Sequence, residues 1–329
     1  MLNSESKLNP KLFEKDVEQV ATRDGYGRGL VEAGEKDERV VVLCADLTES
    51  TRALWFKEKF PERFIEIGVA EQNLAAVASG LANYGKIPFI SSYAAFSPGR
   101  NNEQIRTTIC INNVPVKIGG AHAGISVGPD GATHQALEDV GLMRMQPRMT
   151  VLVPCDAVEA QKATLAAASY PGPVYIRFGR EKSPVMTTKD TPFQIGKAET
   201  YRSGKDVTII ASGMLLYNAL LAAKELESEG IDAGVINNHT VKPMDKDSII
   251  QSAKETGAVV TVEEHQIAGG MGSAVAEILS ANFSVPMEFI GVHDRFGESG
   301  GSWELVEKFG MGVQSIKEAV KKVVSRKKV

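Results

Sequence analysis

Val114-Pro-Val-Lys-Ile118-Gly-Gly-Ala-His122-Ala-Gly-Ile-Ser-Val-Gly-Pro-Asp130-Gly-Ala-Thr-His134-Gln135 is the stretch that decides how this chain is read. It opens as an apolar run and turns at Gly119 into a glycine-rich loop. That loop carries two of the chain's five histidines and one acid, and it precedes an expected helix over 135–144. Glycines let the backbone fold tightly and approach a ligand. Histidine and aspartate hold hydroxyls and phosphates or move protons near neutral pH. A loop that only connects a strand to a helix needs none of this chemistry. Open parallel sheets bind ligands beyond the carboxyl ends of their strands, where this loop falls.

Outward from the loop, short runs rich in Val and Ile alternate with helical patterns, the signature of α/β folding. In the first half, strands are expected at 40–43, 64–67, 88–90, 114–118, 150–153 and 174–176. Helices are expected over 12–35, 71–84, 100–112, 135–144 and 157–169. The second half restarts the pattern with strands at 207–210, 233–236, 259–262 and 287–290. Its helices are expected near 215–229, from about 271 and from about 313. The strand runs are nearly all apolar, as strands covered on both faces must be. The reading is two open, mainly parallel-sheet α/β domains, 12–180 and 207–329. Pro184, Pro192, Gly196 and Gly204 mark 181–206 as the linker.

Bulk properties agree with this. The 329 residues suit two cores better than one. A net charge of −4 with no basic patch excludes nucleic acid as the partner. The basic end, Lys321 to Lys328, reads as the solvated last turns of a helix. Cys44, Cys110 and Cys155 lie far apart among apolar residues without a Cys-x-x-Cys, so reduced core thiols in a cytoplasmic protein are expected. The N-terminus has no apolar signal core, and no apolar run is long enough for a membrane.

Other residues with chemistry also follow strand runs. Glu71, in Gly68-Val-Ala-Glu71-Gln-Asn73, opens a strongly apolar helix. It is either a cap complementing the helix dipole or a buried carboxylate in need of a partner. Tyr93 and Phe96 stand three apart, fit to flank a flat ligand or to pack in the core. Asp46-Leu-Thr-Glu-Ser50 meets a ligand or caps the next helix. Arg177 and Arg180 suit a phosphate or carboxylate, or make surface ion pairs. His239, His265 and His293 lack matching acid spacing and are given no role.

Taken together, these motifs resemble the pyrimidine-binding and C-terminal domains of the transketolase family of thiamine-diphosphate enzymes. The likeness runs from about Arg23 to the last helix. It implies transfer of a two-carbon ketol unit from a ketose phosphate to an aldose phosphate. By that resemblance Glu71 meets the cofactor's aminopyrimidine, in a pocket lined by Tyr93 and Phe96. His122, Asp130 and His134 match the sugar-contacting, catalytic pattern at identical spacing. Arg23, Ser50 and Arg180 match positions that grip the substrate phosphate, with Ala45-Asp46 beside them. The thiazolium C–H must lose a proton to the cofactor's own amino group in its imino form. A carboxylate at the opposite ring nitrogen promotes that tautomer. Such acid–base effects are typically worth about 100- to 10,000-fold.

Two departures shape the expectation. The family's third aromatic pocket position appears as Gly99, and the alignment needs one extra residue there. The Gly-Asp-Gly…Asn motif that binds magnesium and the diphosphate is missing, so no metal site is expected in this chain. The chain is thus similar to the C-terminal subunit of a split transketolase. That likeness implies an N-terminal-type partner subunit holding most of the Mg2+ contacts, and an α2β2 assembly. Deoxyxylulose-phosphate synthases share Glu-Gln and Asp-Gly-x-Thr-His but have an acid where His122 stands. The β subunits of 2-oxo-acid dehydrogenases share the split layout without the His122/Asp130/His134 set. A non-catalytic sugar-phosphate-binding regulatory protein would need neither that set nor Glu71.

Overall fold

The computed structural model describes residues 2–327. Lys328, at the end of the basic stretch, and Val329, the last residue of the expected second domain, lie outside them. In chain order the first elements are β1 (Gln19–Ala21), α1 (Thr22–Lys36), β2 (Val40–Cys44), α2 (Ala53–Lys59), β3 (Phe64–Glu66), α3 (Glu71–Asn83) and β4 (Ile87–Tyr93). Next, α4 (Asn102–Gln104) passes into a π-helical stretch at Ile105–Cys110. It is followed by β5 (Lys117–Ala121), α5 (Asp139–Met145), β6 (Thr150–Leu152), α6 (Ala157–Ser169) and β7 (Val174–Arg177). Then come β8 (Lys182–Pro184), β9 (Glu199–Arg202), β10 (Val207–Ala211), α7 (Leu216–Ser228), β11 (Ala233–Asn237), β12 (Thr240–Lys242) and α8 (Lys246–Thr256). The chain ends through β13 (Val259–Gln266), α9 (Met271–Asn282), β14 (Met287–Val292), α10 (Ser302–Lys308) and α11 (Val313–Ser325).

Two parallel-rich sheets carry the fold, as the apolar strand runs imply. The larger has the order β12-β6-β7-β5-β4-β2-β3 and the smaller β14-β13-β10-β11-β9. In these two sheets the edge strands β12 and β9 run antiparallel to their neighbours. All five residues of β2 are buried between helical layers. On one face, α1 lies directly on α6 because its glycines leave room. A Cβ on Gly25 would sit 1.9 Å from the Ala157 carbonyl oxygen, and one on Gly29 2.6 Å from Thr164 Cβ.

Several expectations need correction. The helix expected over 12–35 begins only at Thr22. Residues 10–16 form turns and Gln19–Ala21 pairs with β8, a tertiary pairing that overrides local helical preference. The strand expected at 114–118 lies at Lys117–Ala121, in register with Phe89–Tyr93. Gly119 and Gly120 therefore belong to the strand, where the Tyr26 and Tyr175 hydroxyls would crowd any Cβ, at 2.6 and 2.2 Å. The helix expected from 135 starts at Asp139, because Gln135 turns inward and donates from Nε2 to the carbonyls of Ile125 and Glu298. The stretch 181–206 is not a plain linker, since β8 and β9 lie within it and β9 edges the smaller sheet. Nor is the chain cut cleanly between the halves: β12 crosses back to edge the larger sheet, pairing with β6.

The helices α2, α8 and α10 were not anticipated. In α8, Asp245 caps the start by accepting from Ser248 N, and Gly257 ends it at φ +70°. The three cysteines are free and buried, and burial pushes the Cys44 and Cys110 thiols up to about 11. No helix among the described residues is long and apolar enough to cross a membrane.

Candidate active site at the carboxyl ends of five adjacent strands

The strands β7, β5, β4, β2 and β3 are consecutive neighbours. Their carboxyl ends deliver, in that spatial order, Arg180, the His122–His134 loop, Tyr93 and Phe96, Ser50, and Glu71. Arg23 joins them from the first turn of α1. Sheet topology thus gathers residues spread over more than 150 positions of sequence.

Glu71 is the first residue of α3 and is 3% exposed, as its apolar helix implied. Its carboxylate makes no capping bond to the helix start, and its Oε2 instead accepts a 2.8 Å bond from Arg100 Nη1. Asn101 Nδ2 donates to the Glu71 carbonyl oxygen at 2.9 Å. The guanidinium of Arg100 lies 4.8 Å from the Phe96 ring centroid. Rings continue the line: Tyr93 and Phe96 are 6.0 Å apart and near parallel, and His122 stacks on Tyr93 at 3.9 Å. His134 meets Phe96 edge-on at 5.4 Å, its Nδ1 2.9 Å from Thr133 Oγ1. Tyr93 also packs against the core of the larger sheet.

Around His122 the site becomes cationic. Arg180 Nη1 donates to Asp130 Oδ1 and to the Val127 carbonyl, both at 3.2 Å. Arg23 Nη1 donates to the Ser50 carbonyl at 3.1 Å. Burial first, then the charges of Arg23, Arg180 and Arg52, pulls the His122 imidazole down to about 3. His122 is therefore neutral at working pH. Its Nδ1 and Arg23 Nε are buried and have no hydrogen-bond partner among the described residues, which leaves two polar atoms for a ligand to satisfy. Burial, with the neighbouring Arg52 charge, also lowers the Arg23 pKa.

Arg177 stands apart from Arg180. It is buried, donating to Asp139 Oδ2 at 2.9 Å and to the Glu264 carbonyl at 2.7 Å, so it braces the fold. Sequence reasoning missed three residues. Arg52 holds a backbone of φ +66°, its guanidinium bonded to Asp24 at 2.6 Å. Arg100 had no visible partner, since Glu71 is 29 positions away. Glu264, from β13 of the smaller sheet, is buried and accepts from Ser126 N inside the histidine loop. Gln266 N also donates to the Leu137 carbonyl at 2.8 Å, so the second half holds that loop from behind.

These residues fit the aminopyrimidine half of thiamine diphosphate. The buried Glu71 carboxylate keeps Oε1 without a donor among the described residues, and the Tyr93 and Phe96 rings stand near parallel. Among the described residues, no cluster of three or more His, Cys, Asp or Glu side chains is placed to hold a metal. A cleft of about 670 Å3 lies at the opposite, amino end of the sheet, lined by Lys36, Arg39 and Tyr170, and touches none of these residues.

Comparison with known proteins agrees with the geometry. Residues 18–185 match the transketolase pyrimidine-binding domain, and 196–316 match the transketolase C-terminal domain. The chain is 42% identical over 96% of its length to the 6-deoxy-6-sulfo-D-fructose transketolase subunit SqwH of Clostridium sp. (strain MSTE9), covering 98% of that protein. It is 37% identical to a subunit of the apulose-4-phosphate transketolase of Phocaeicola vulgatus, over 90% of this chain and 95% of that one. A solved structure described as a split gene transketolase, inactive beta4 tetramer, superposes with a TM-score of 0.88 at 46% identity. The match covers 94% of this chain and all of the other. The chain belongs to the transketolase family, as a polypeptide carrying its pyrimidine-binding and C-terminal domains.

Proposed function

We propose that the chain is the C-terminal subunit of a thiamine-diphosphate-dependent transketolase that moves two-carbon ketol units between sugar phosphates. In this reading, catalysis needs an N-terminal-type subunit holding magnesium and the diphosphate, in an α2β2 assembly. The observation that carries it is Glu71, a buried carboxylate with Oε2 held by Arg100, whose guanidinium lies 4.8 Å from the Phe96 ring centroid, and with no donor to Oε1 among the described residues.

When bound, the cofactor supplies the carbanion chemistry that protein side chains lack. Glu71 would hold the pyrimidine nitrogen through Oε1. Phe96 and Tyr93 would flank the ring and exclude water. His134, its Nδ1 held by Thr133, presents Nε2 to a substrate hydroxyl, and Asp130 accepts from a neighbouring one. Arg23, Ser50 and Arg180 grip the terminal phosphate. His122, being neutral, contributes a hydrogen bond there rather than a charge. A sulfonated sugar is a second reading of the same arginines, supported by the relative named for 6-deoxy-6-sulfo-D-fructose.

The decisive experiment mixes the purified chain with thiamine diphosphate, magnesium and ketose and aldose phosphates, with and without a chain carrying Gly-Asp-Gly…Asn. Turnover is expected only with both chains. Turnover by this chain alone would sink the two-chain reading.

A further inference from the structure

The family's third ring of the pyrimidine pocket cannot stand at residue 99. A Cβ there would lie 2.1 Å from the Ala95 carbonyl oxygen, and backbone cannot yield to it. The next residue occupies the place in another way. Arg100 sets its guanidinium carbon 4.8 Å from the Phe96 ring centroid and donates from Nη1 to Glu71 Oε2 at 2.8 Å. Its side chain is 49% exposed and that of Glu71 3%, so an arginine from the rim reaches a sunken carboxylate. The turn carrying Arg100 is itself tied to the start of α3. Asn101 Nδ2 bonds both the Glu71 carbonyl at 2.9 Å and Ser97 Oγ at 3.1 Å. Among the described residues no donor bonds Glu71 Oε1.

We propose that Arg100 is a positioning residue for Glu71, pinning Oε2 so that Oε1 faces the aminopyrimidine while its own plane forms the pocket's third wall. The inference rests on the thiamine-dependent reading above and deepens it. Both properties come from the guanidinium, which is flat, always charged and able to stack on a ring while donating in its plane. A tyrosine at this place supplies the wall only, and a lysine supplies the charge only. The cation also offsets the burial of the carboxylate, which would otherwise be left uncompensated.

The test uses the chain with its N-terminal-type partner, thiamine diphosphate and magnesium, comparing Arg100→Met, Arg100→Tyr and Arg100→Lys. Calorimetry reads the cofactor Kd, and NMR reads hydrogen–deuterium exchange at the thiazolium carbon under saturating cofactor. Arg100→Met should slow exchange on the order of 100-fold, the effect of a misplaced catalytic group. Arg100→Tyr should return the Kd to that of the unaltered complex without returning exchange, and Arg100→Lys should recover part of the exchange without the Kd. Exchange in Arg100→Met equal to that of the unaltered complex would overturn the proposal. So would full recovery of exchange by Arg100→Tyr, which would make Arg100 a wall alone. Absence of exchange in the unaltered complex would instead overturn the thiamine reading.

Discussion

Replacing His122 with asparagine should make the protein's stability less sensitive to acid. His122 is 2% exposed at φ +52°, a backbone that asparagine tolerates. Burial, and then the Arg23, Arg180 and Arg52 charges, holds its pKa at about 3, against ~6.5 in an unfolded chain. As pH falls, the unfolded chain takes up this proton first. Stability is therefore lost from near the unfolded value downward, until the folded imidazole also protonates near 3. Between pH 7 and pH 5 the unfolded imidazole passes from about one-quarter to almost fully protonated while the folded one stays neutral, a loss of about 2 kcal/mol. The whole shift, at ~1.36 kcal/mol per pH unit, approaches ~5 kcal/mol at still lower pH. His239, buried and lowered to about 4, contributes in both proteins and drops out of the comparison. Urea unfolding at the two pH values should show the fall in unfolding free energy smaller by about 2 kcal/mol in His122→Asn than in the unaltered chain. Equal falls would refute the argument, as would an imidazole NMR titration of His122 centred at its ordinary value. Inorganic phosphate tests the cause. An anion beside Arg23 and Arg180 offsets their charge, so the His122 midpoint should rise at saturating phosphate.

Two further predictions concern the reaction. Glu71→Gln should slow thiazolium exchange in the proposed two-chain complex by about 100- to 10,000-fold while near-UV circular dichroism stays unchanged. Near-normal exchange would remove Glu71 from the reaction. In the proposed sugar site, Arg23→Ala and Arg180→Ala should mainly raise KM for phosphorylated acceptors, whereas Asp130→Ala and His134→Ala should mainly lower kcat. Steady-state kinetics with phosphorylated and unphosphorylated acceptors would decide, and equal effects on both would remove the arginines from the phosphate.

Much of the candidate site is legible because its parts are local. The spacing of His122, Asp130 and His134, the Tyr93–Phe96 pair and the placement of Glu71 after a strand are properties of short segments. What escaped is pairwise and distant. Arg100 reads as a loop cation until Glu71, 29 positions earlier, is folded against it. Arg177 and Arg180 look alike in sequence, yet one is buried on Asp139 and the other faces the site beside Asp130. The second half's grip on the histidine loop, through Glu264 and Gln266, depends on how two sheets meet.

The sequence by itself determined the alternation of buried strands and amphipathic helices, because covering both faces of a strand demands an unbroken apolar run. It also placed the chemistry after those strands and supported the likeness to transketolases. Only the tertiary structure decided the order of the strands, the return of β12 to the larger sheet and the start of α1 at Thr22 rather than at 12. It also decided that His122 is neutral. Strand order and edge pairing rest on contacts between segments far apart in the chain, which no local pattern encodes. The charge state of a histidine follows from the water it loses and the arginines brought to it, and neither exists until the chain has folded.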